Sequence, residues 1–204
     1  MTALVVIRHG PTVWSAEHRL QGRRDLPLSR EGRAEVRAWS LPPRLLAYRA
    51  ICSPLARAVE TAHLLGLSGV QLEPNLIEMH WGEWEGRTLA ELRAERGAAM
   101  ARDEALGLDL LPPGGESPRQ VSARLERWLA DIYPEHQPRL VITHKGVIRA
   151  LLSLATGWDM THKPPVRFAW DAAHHFEVGP AGTLTLRAAN QSLLTVEPTS
   201  GTSR

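Results

Sequence analysis

The sequence has little of several features that mark particular classes of protein. Its 204 residues include one cysteine, Cys52, so no internal disulfide can form, and the apolar neighbours of this cysteine indicate a buried, unreactive thiol. The longest strongly apolar run, residues 147–155, contains Arg149 and has about half the length that a membrane helix needs. The N-terminus lacks the basic start and long apolar region of a signal peptide, so we expect a cytoplasmic protein that does not engage a membrane.

The sequence also lacks a strong excess of positive or negative charge. The net charge is only +2, which is too small to indicate a nucleic-acid partner. With 43% hydrophobic and 23% charged residues, the composition is that of a folded globular protein and not that of a disordered chain. A chain of this length has room for one substantial core, so we predict a single domain over residues 1–204.

Short apolar runs alternate with helical patterns, which indicates an α/β domain. Residues 4–7, 49–52 and 140–143 are predicted strands, and continuous apolar runs are typical of parallel strands buried on both faces. We therefore predict a three-layer sandwich in which helices flank a mostly parallel central sheet. The residues that follow the three strands should meet at one edge of that sheet, where α/β proteins bind ligands. Apolar alternation over residues 176–186, around a Gly-Pro-Ala-Gly turn, predicts a hairpin.

Capping residues predict where the helices begin. The pair Ser53-Pro54 predicts a helix that has Ser53 as its N-cap and Val59 on its apolar face. Ser117 and Thr88 each open a capping box, and the first leads into an apolar stripe. Residues 79–116 have weaker periodicity, and we predict that they form a helical insertion over the sheet edge that serves as a substrate lid.

Histidine and arginine follow the predicted strands. Arg8 and His9 come directly after the first strand, Arg57 lies in the first turn of the next helix, and Gly10 allows a close approach of the backbone. A third strand is followed at once by His144. A neutral imidazole is a good nucleophile toward phosphorus, and arginines bind phosphate oxygens through charge-assisted hydrogen bonds. We expect His144 to be protonated, so that it and the two arginines offset the charge of a phosphate dianion.

Short motifs stand in a defined order along residues 4–149. They are Arg8-His9-Gly10, Arg19-x-Gln21-Gly22, Asp25-x-Pro27-Leu28-Ser29 with Gly32, the segment 53–62, Glu78 before Gly82-Glu83-Trp84-Glu85-Gly86, Pro113-Gly114-Gly115-Glu116-Ser117, and His144-x-Gly146-Val147-Ile148-Arg149. In their order and spacing, these motifs resemble the histidine phosphatase superfamily, also called the phosphoglycerate mutase-like superfamily. The resemblance implies a phosphatase that uses neither a metal nor another cofactor.

The resemblance also implies roles for single residues. It implies that His9 becomes phosphorylated and that Glu78 is the general acid. It further implies that Arg8, Arg57 and His144 bind the phosphoryl group that is transferred. A leaving alkoxide needs a proton, and a carboxyl group beside the phosphate can supply it.

Further residues are expected to bind substrate. The resemblance places Gln21 and Gly22 in the pocket, and His80 and Trp81 are candidates because they follow Glu78. Ser15 is a further candidate, but the family usually has an asparagine at this position, and serine is shorter.

Two other positions depart from the family pattern. Pro11 stands where an acidic residue is usual, and Lys145 replaces a common small residue beside His144. The lysine either supplies positive charge for a second anionic group or faces solvent, and we favour solvent.

Three functions stay open at this point. The leading hypothesis is hydrolysis of a small phosphomonoester. A cofactor-dependent phosphoglycerate mutase usually has Arg-His-Tyr-Gly after the catalytic glutamate, whereas residues 79–82 read Met-His-Trp-Gly. The third hypothesis is a phosphoprotein phosphatase or a non-catalytic phosphate-binding module.

The sequence leaves open whether the protein forms a homodimer. No metal site is predicted, because His174 and His175 are adjacent and would point to opposite faces of a strand.

Overall fold

A computed structural model describes residues 1–194, in which one sheet lies between two layers of helices. The strands are β1 (Thr2–Arg8), β2 (Arg49–Cys52), β3 (Gln71–Leu72), β4 (Arg139–Thr143), β5 (Ala172–Val178) and β6 (Leu184–Ser192). The helices are α1 (Val13–Ala16), α2 (Arg30–Arg37), α3 (Pro43–Leu46), α4 (Ala56–Leu64), α5 (Leu89–Arg96), α6 (Ala98–Ala105), α7 (Pro118–Ile132) and α8 (Lys145–Thr156). The last part of the predicted domain, residues 195–204, lies outside the described residues.

The sheet has the order β3-β2-β4-β1-β5-β6. Strands β1 to β4 pair in parallel, whereas β5 pairs antiparallel with both β1 and β6. The predicted α/β architecture with a mostly parallel sheet is therefore confirmed, and the predicted C-terminal hairpin is its antiparallel part. Arg8 is in register with Thr143, and Cys52 with Ile142, so the carboxyl ends of β1, β4 and β2 lie side by side.

The central strands are buried on both faces. Leu4 and Val6 pack into a core formed with α7 and α8, whereas Val5 and Ile7 pack into a second core with α2, α3 and α4. Successive side chains of a strand point to opposite faces, so a strand covered on both sides needs apolar residues at every position. This requirement explains the continuous apolar run at the start of the sequence.

The structure corrects the predicted start of α4. This helix begins at Ala56, and its N-cap is Leu55, which makes no side-chain capping bond. The hydroxyl of Ser53 instead contacts His144, 91 residues further along the chain. Val59 is 39% exposed because the buried face of the helix passes through Ala58 and its neighbours one turn on. The capping boxes predicted for α5 and α7 are both present.

The insertion over residues 79–116 contains α5 and α6, which pack around a small core of Trp84, Leu92 and Met100. Trp81 and Leu110 contact both this small core and the main core beside α7 and α8. The insertion stands above the carboxyl ends of the strands and forms part of the cavity described below. Its action as a lid stays a prediction. Across residues 1–194, no helix has both the length and the hydropathy that crossing a bilayer requires.

Candidate active site

A cavity of about 840 Å³ opens at the carboxyl edge of the parallel strands. Its walls come from the residues after β1, from the start of α8, from the insertion, and from the segment before β5. The residues that line it are Arg8, His9, Ser15, His18, Arg19, Leu20, Gln21, Arg57, Glu78, Met79, Trp81, Thr88, Leu89, Ala90, Arg93, Glu104, Gly107, Leu110, Pro118, Lys145, Gly146, Arg149, Met160 and Trp170. A cavity of this size accommodates a small organic molecule.

His9 lies at the inner end of this cavity and is only 4% exposed. Its Nδ1 is 2.7 Å from the carbonyl oxygen of Gly10. Because a carbonyl only accepts hydrogen bonds, Nδ1 carries the proton and Nε2 keeps its lone pair. Burial, followed by the positive charges of Arg8 and Arg57, lowers the pKa of His9 well below its usual value. The imidazole is therefore neutral, with Nε2 available as a nucleophile.

Arg57 is completely buried beside His9. Its Nε donates to His9 Nε2 over 3.3 Å, and its other nitrogens donate to the carbonyl oxygens of Arg24, at 2.8 Å, and Gly22, at 2.7 Å. Burial is the main cause that lowers the pKa of Arg57. The charges of Glu78, Asp25 and Glu85 oppose this shift. These carbonyl bonds fix the direction of the guanidinium, so its Nε–H points toward the place where a group on Nε2 would sit.

Gly22 was predicted to line the pocket, and its contact with substrate stays a prediction. The residue is absent from the cavity wall, and its carbonyl acts instead by holding Arg57. Its φ of +52° lies in the left-handed region, and a Cβ there would overlap the side chain of Glu85. Gly22 is therefore a positioning residue whose backbone conformation requires glycine.

Gly10 also acts differently from the prediction. Its close approach is to Val36 of α2 and not to the cavity, because a Cβ at this position would overlap the valine side chain. The backbone N–H of Gly10 donates to Thr61 Oγ1 over 3.0 Å, and that hydroxyl donates to the Arg57 carbonyl over 2.7 Å. This chain of bonds ties the loop after β1 to α4, and Thr61 was not singled out from the sequence.

Arg8, the last residue of β1, also lines the cavity. Its guanidinium carbon lies 5.5 Å from the centroid of the Trp170 ring, and among the described residues its buried Nε has no hydrogen-bond partner. Burial lowers the pKa of Arg8, and the carboxylates of Glu78 and Glu35 oppose this shift. A buried guanidinium with an unused donor can bind an anion.

His144 lies directly behind His9, with 5.0 Å between the two ring centroids. It is completely buried, and its Nε2 shares a hydrogen bond of 2.7 Å with the hydroxyl of Ser53. The predicted protonation of His144 is wrong for the protein without substrate. Burial, together with the positive charges of Arg57 and neighbouring groups, lowers its pKa well below the usual value. Ser53 was predicted as a helix cap, and its contact with His144 was not foreseen.

Glu78 reaches the cavity from the segment before the insertion and is 8% exposed. Its Oε1 accepts from the backbone N–H of Met79 at 2.8 Å, and its Oε2 accepts from that of Gly146 at 3.2 Å. A Cβ on Gly146 would overlap the carboxyl oxygen, so glycine is needed for this approach. The carboxyl group is thus held in place by two backbone donors from different parts of the chain.

A buried arginine holds the segment before Glu78 in place through hydrogen bonds. Arg124 of α7 donates to the carbonyl oxygens of Asn75 and, at 2.6 Å, Ile77. The same guanidinium donates to Glu116 over 3.0 Å. Sequence reasoning had Glu116 only as part of a motif and missed Arg124, because the partners are separated by up to 49 residues.

Of the other predicted substrate-binding residues, three line the cavity and one does not. Ser15, Gln21 and Trp81 line the cavity, and Gln21 Nε2 donates to Ser15 Oγ over 2.9 Å. The serine therefore positions the glutamine, which is a use that its short side chain permits. His80 is absent from the wall, and its Nε2 lies 3.5 Å from Glu85 instead. Its predicted contact with substrate therefore has no support in this geometry.

Lys145 is exposed, as expected. It also lines the cavity, and its ammonium nitrogen lies 5.4 Å from the centroid of the Trp170 ring. Arg149, one turn further along α8, lines the same wall.

Metal-binding geometry is absent from the part of the chain that the structure describes, where no three His, Cys, Asp or Glu side chains form a suitable group. His174 is buried against Phe168, with 4.1 Å between the ring centroids, whereas His175 bonds to Gln191. The cavity instead combines a neutral imidazole, the buried Arg57, the partly buried Arg8 and a carboxyl group. This set can bind a phosphoryl group, attack it and move a proton.

Comparison with known proteins matches residues 4–191 to the model of the histidine phosphatase superfamily (branch 1). A curated relative, 2,3-bisphosphoglycerate-dependent phosphoglycerate mutase 2 from Gloeobacter violaceus, is 35% identical over 163 residues, covering 74% of each chain. Glucosyl-3-phosphoglycerate phosphatase from Mycobacterium tuberculosis is 35% identical over 164 residues, covering 72% of each chain. A solved structure of a mycobacterial glucosyl-3-phosphoglycerate phosphatase with VO3 has a TM-score of 0.76 and 27% identity, covering 94% of this chain and 100% of that one.

Proposed function

The chain belongs to the histidine phosphatase superfamily, and on that premise we propose that it hydrolyses a small phosphomonoester through a phosphohistidine on His9. The observation that carries this proposal is the state of His9. Its ring is neutral, its proton is held on Nδ1 by the Gly10 carbonyl, and its Nε2 lies beside Arg57 at the inner end of the cavity.

In the first step, Nε2 of His9 attacks phosphorus and the bond from phosphorus to the ester oxygen breaks. Arg8 and Arg57 bind the equatorial oxygens, whose negative charge they offset more strongly in the transition state than in the ground state. The leaving oxygen takes a proton from the carboxyl group of Glu78. As positive charge develops on the imidazole, the Gly10 carbonyl stabilises it through the hydrogen bond to Nδ1.

In the second step, water attacks the phosphohistidine and the bond from phosphorus to nitrogen breaks. The carboxylate of Glu78 takes a proton from that water, so the group returns to its acidic form. Inorganic phosphate leaves, and His9 is again neutral. No metal or other cofactor is needed to balance these steps.

Hydrolysis is preferred to mutase chemistry for a structural reason. A mutase has to keep its phosphohistidine from water between two phosphoryl transfers. Here the cavity has a volume of about 840 Å³, and Lys145 on its wall stays accessible to solvent. This opening gives water a path into the cavity, although His9 itself is only 4% exposed and the named relatives include a mutase as well as phosphatases.

The proposal is tested by trapping the intermediate. Wild-type protein, His9→Ala and the control His63→Ala, an exposed residue of α4, are incubated with a panel of ³²P-labelled phosphomonoesters in chelator and quenched in alkali. We expect alkali-stable, acid-labile phosphate on wild type and on the control, and none on His9→Ala, which should also lose turnover while keeping its melting temperature. Substantial residual turnover in His9→Ala would contradict the covalent mechanism.

The alternatives give different results in the same experiments. Efficient formation of 2-phosphoglycerate from 3-phosphoglycerate with catalytic bisphosphoglycerate would favour the mutase. Binding of inorganic phosphate without a trapped intermediate from any ester would favour a binding module. A phosphoprotein substrate that is turned over faster than every small ester would replace the proposed substrate class. A cytoplasmic location also stays a prediction.

A further inference from the structure

Six cationic side chains line the cavity, and their partners divide them into three pairs. Arg8 and Arg57 flank His9, where the phosphoryl group is proposed to bind. Arg19 and Arg93 are each paired with a carboxylate, at 2.6 Å from Glu17 and 2.7 Å from Glu104. The third pair consists of Lys145 and Arg149.

Lys145 and Arg149 project from the same face of α8, four residues apart. Across residues 1–194, neither side chain forms a salt bridge or a side-chain hydrogen bond. Like charges at this spacing destabilise a helix unless a counter-charge is present. Glu78, whose charge acts to raise the pKa of Lys145, already accepts hydrogen bonds from Met79 and Gly146.

Aromatic rings hold both cations in place. The ammonium of Lys145 lies 5.4 Å from the Trp170 ring centroid, and the guanidinium of Arg149 lies 4.7 Å from that of Trp158. Partial burial lowers the pKa of each, although Lys145 stays accessible at the cavity wall. The Arg8 guanidinium lies 5.5 Å from the centroid of the same Trp170 ring, so this indole is close to both Arg8 and Lys145.

We propose that Lys145 and Arg149 form a second anion site, so that the substrate is a phosphomonoester carrying a further carboxylate or phosphate group. This inference rests on the proposed function, since it places the first phosphate at His9. The second anion would supply the counter-charge that the pair lacks, and the substrate body would lie along the indole of Trp170. Trp81, which also lines the cavity, offers a second apolar surface.

The test uses ligand pairs that differ by one anionic group. 3-Phosphoglycerate is compared with glycerol 3-phosphate, and 4-carboxyphenyl phosphate with phenyl phosphate, so that two separations of the anions are sampled. Binding is measured by titration calorimetry on His9→Ala protein, which prevents hydrolysis during the measurement. We expect at least about tenfold tighter binding of the carboxylate-bearing member in at least one pair, as for a charge-assisted hydrogen bond.

Two variants and a control assign the preference to residues. Lys145→Met and Arg149→Met, each made in the His9→Ala protein, keep the apolar length of the side chain but remove its charge. Each should reduce the affinity ratio by about fivefold to tenfold. The matched control is Lys163→Met, which alters the chain's other lysine, an exposed residue outside the cavity wall. It should leave the ratio unchanged.

Three results decide the inference. Equal affinities within both pairs would overturn it, and so would a preference that survives both methionine variants. A preference that Lys163→Met abolishes equally would show only a general charge effect and would also overturn it. If the affinity ratio behaves as expected but wild-type protein forms no phosphohistidine, the second anion site stands and the proposed hydrolysis fails.

Discussion

Adding a single methyl group at Gly146 should separate the role of Glu78 from that of His9. A Cβ on Gly146 would overlap Glu78 Oε1 and lie 3.2 Å from the carboxyl carbon, which is closer than ordinary contact. The Met79 Cβ, at 3.3 Å, limits movement on the other side. The carboxyl group of Glu78 therefore has to move by about 1 Å, and a displacement of that size costs about a hundredfold in rate when proton transfer depends on it.

The effect of Gly146→Ala should depend on the leaving group. An alkyl phosphate needs a proton on its leaving oxygen, so its kcat should fall about a hundredfold, which is within the range of general acid catalysis. p-Nitrophenyl phosphate has a stable leaving anion, so its kcat should fall less than about tenfold. Phosphate release for both esters gives the two values, and thermal unfolding gives the stability.

Stability is the control for this variant. Alanine is favoured over glycine within a helix by about 1 kcal/mol, and Gly146 is the second residue of α8, so the melting temperature should change little. Equal losses for both esters, together with a much lower melting temperature, would mean that the methyl group disturbs the fold. Unchanged turnover of the alkyl ester in a folded variant would refute the assignment of Glu78 as general acid.

Three further predictions concern buried groups around the site. Ser53→Ala should lower kcat about tenfold at a nearly unchanged melting temperature, because His144 loses the hydroxyl that orients it, and an unchanged kcat would contradict this role. Arg124→Met should reduce the free energy of unfolding by about 3 kcal/mol in denaturant titrations, because buried carbonyl oxygens and a carboxylate lose their donor. The control Arg127→Met, which changes an exposed residue of the same helix, should have little effect. Burial lowers the pKa of His174 from 6.5 to about 4, so the unfolded chain binds more protons in that range, and the melting temperature should fall as the pH is lowered from 6.5 to 4. His174→Gln should flatten this dependence, and an equally steep profile in the variant would exclude His174 as its source.

Much of the fold could be predicted because its signals are local. The apolar runs of β1, β2 and β4 and the capping boxes of α5 and α7 depend on neighbouring residues only. The meeting of Arg8, His9 and His144 followed from topology, since parallel strands in one sheet end at one edge. The local rules therefore indicated the inner end of the site.

Side-chain direction could not be predicted in the same way. Ser53 has a good capping sequence, yet its hydroxyl bonds to a histidine 91 residues away. Lys145 is exposed as expected but also lies near Trp170 on the cavity wall, and His80 lies near Glu85. These outcomes depend on packing between distant segments, which the spacing of residues along the chain does not contain.

The small core of the insertion bears on how this architecture diversifies. Trp84, Leu92 and Met100 hold α5 and α6 together, while Arg8, His9 and His144, which belong to the proposed phosphoryl site, come from the strand ends. Trp81 and Leu110 also pack against the main core, and backbone hydrogen bonds join Gly86 to Leu20 and Leu108 to Asp159. Because the insertion has a core of its own, we expect changes on its cavity face to alter the part of the substrate preference that does not depend on Lys145 and Arg149. Evolution has the same freedom to change what the protein recognises without rebuilding how it reacts.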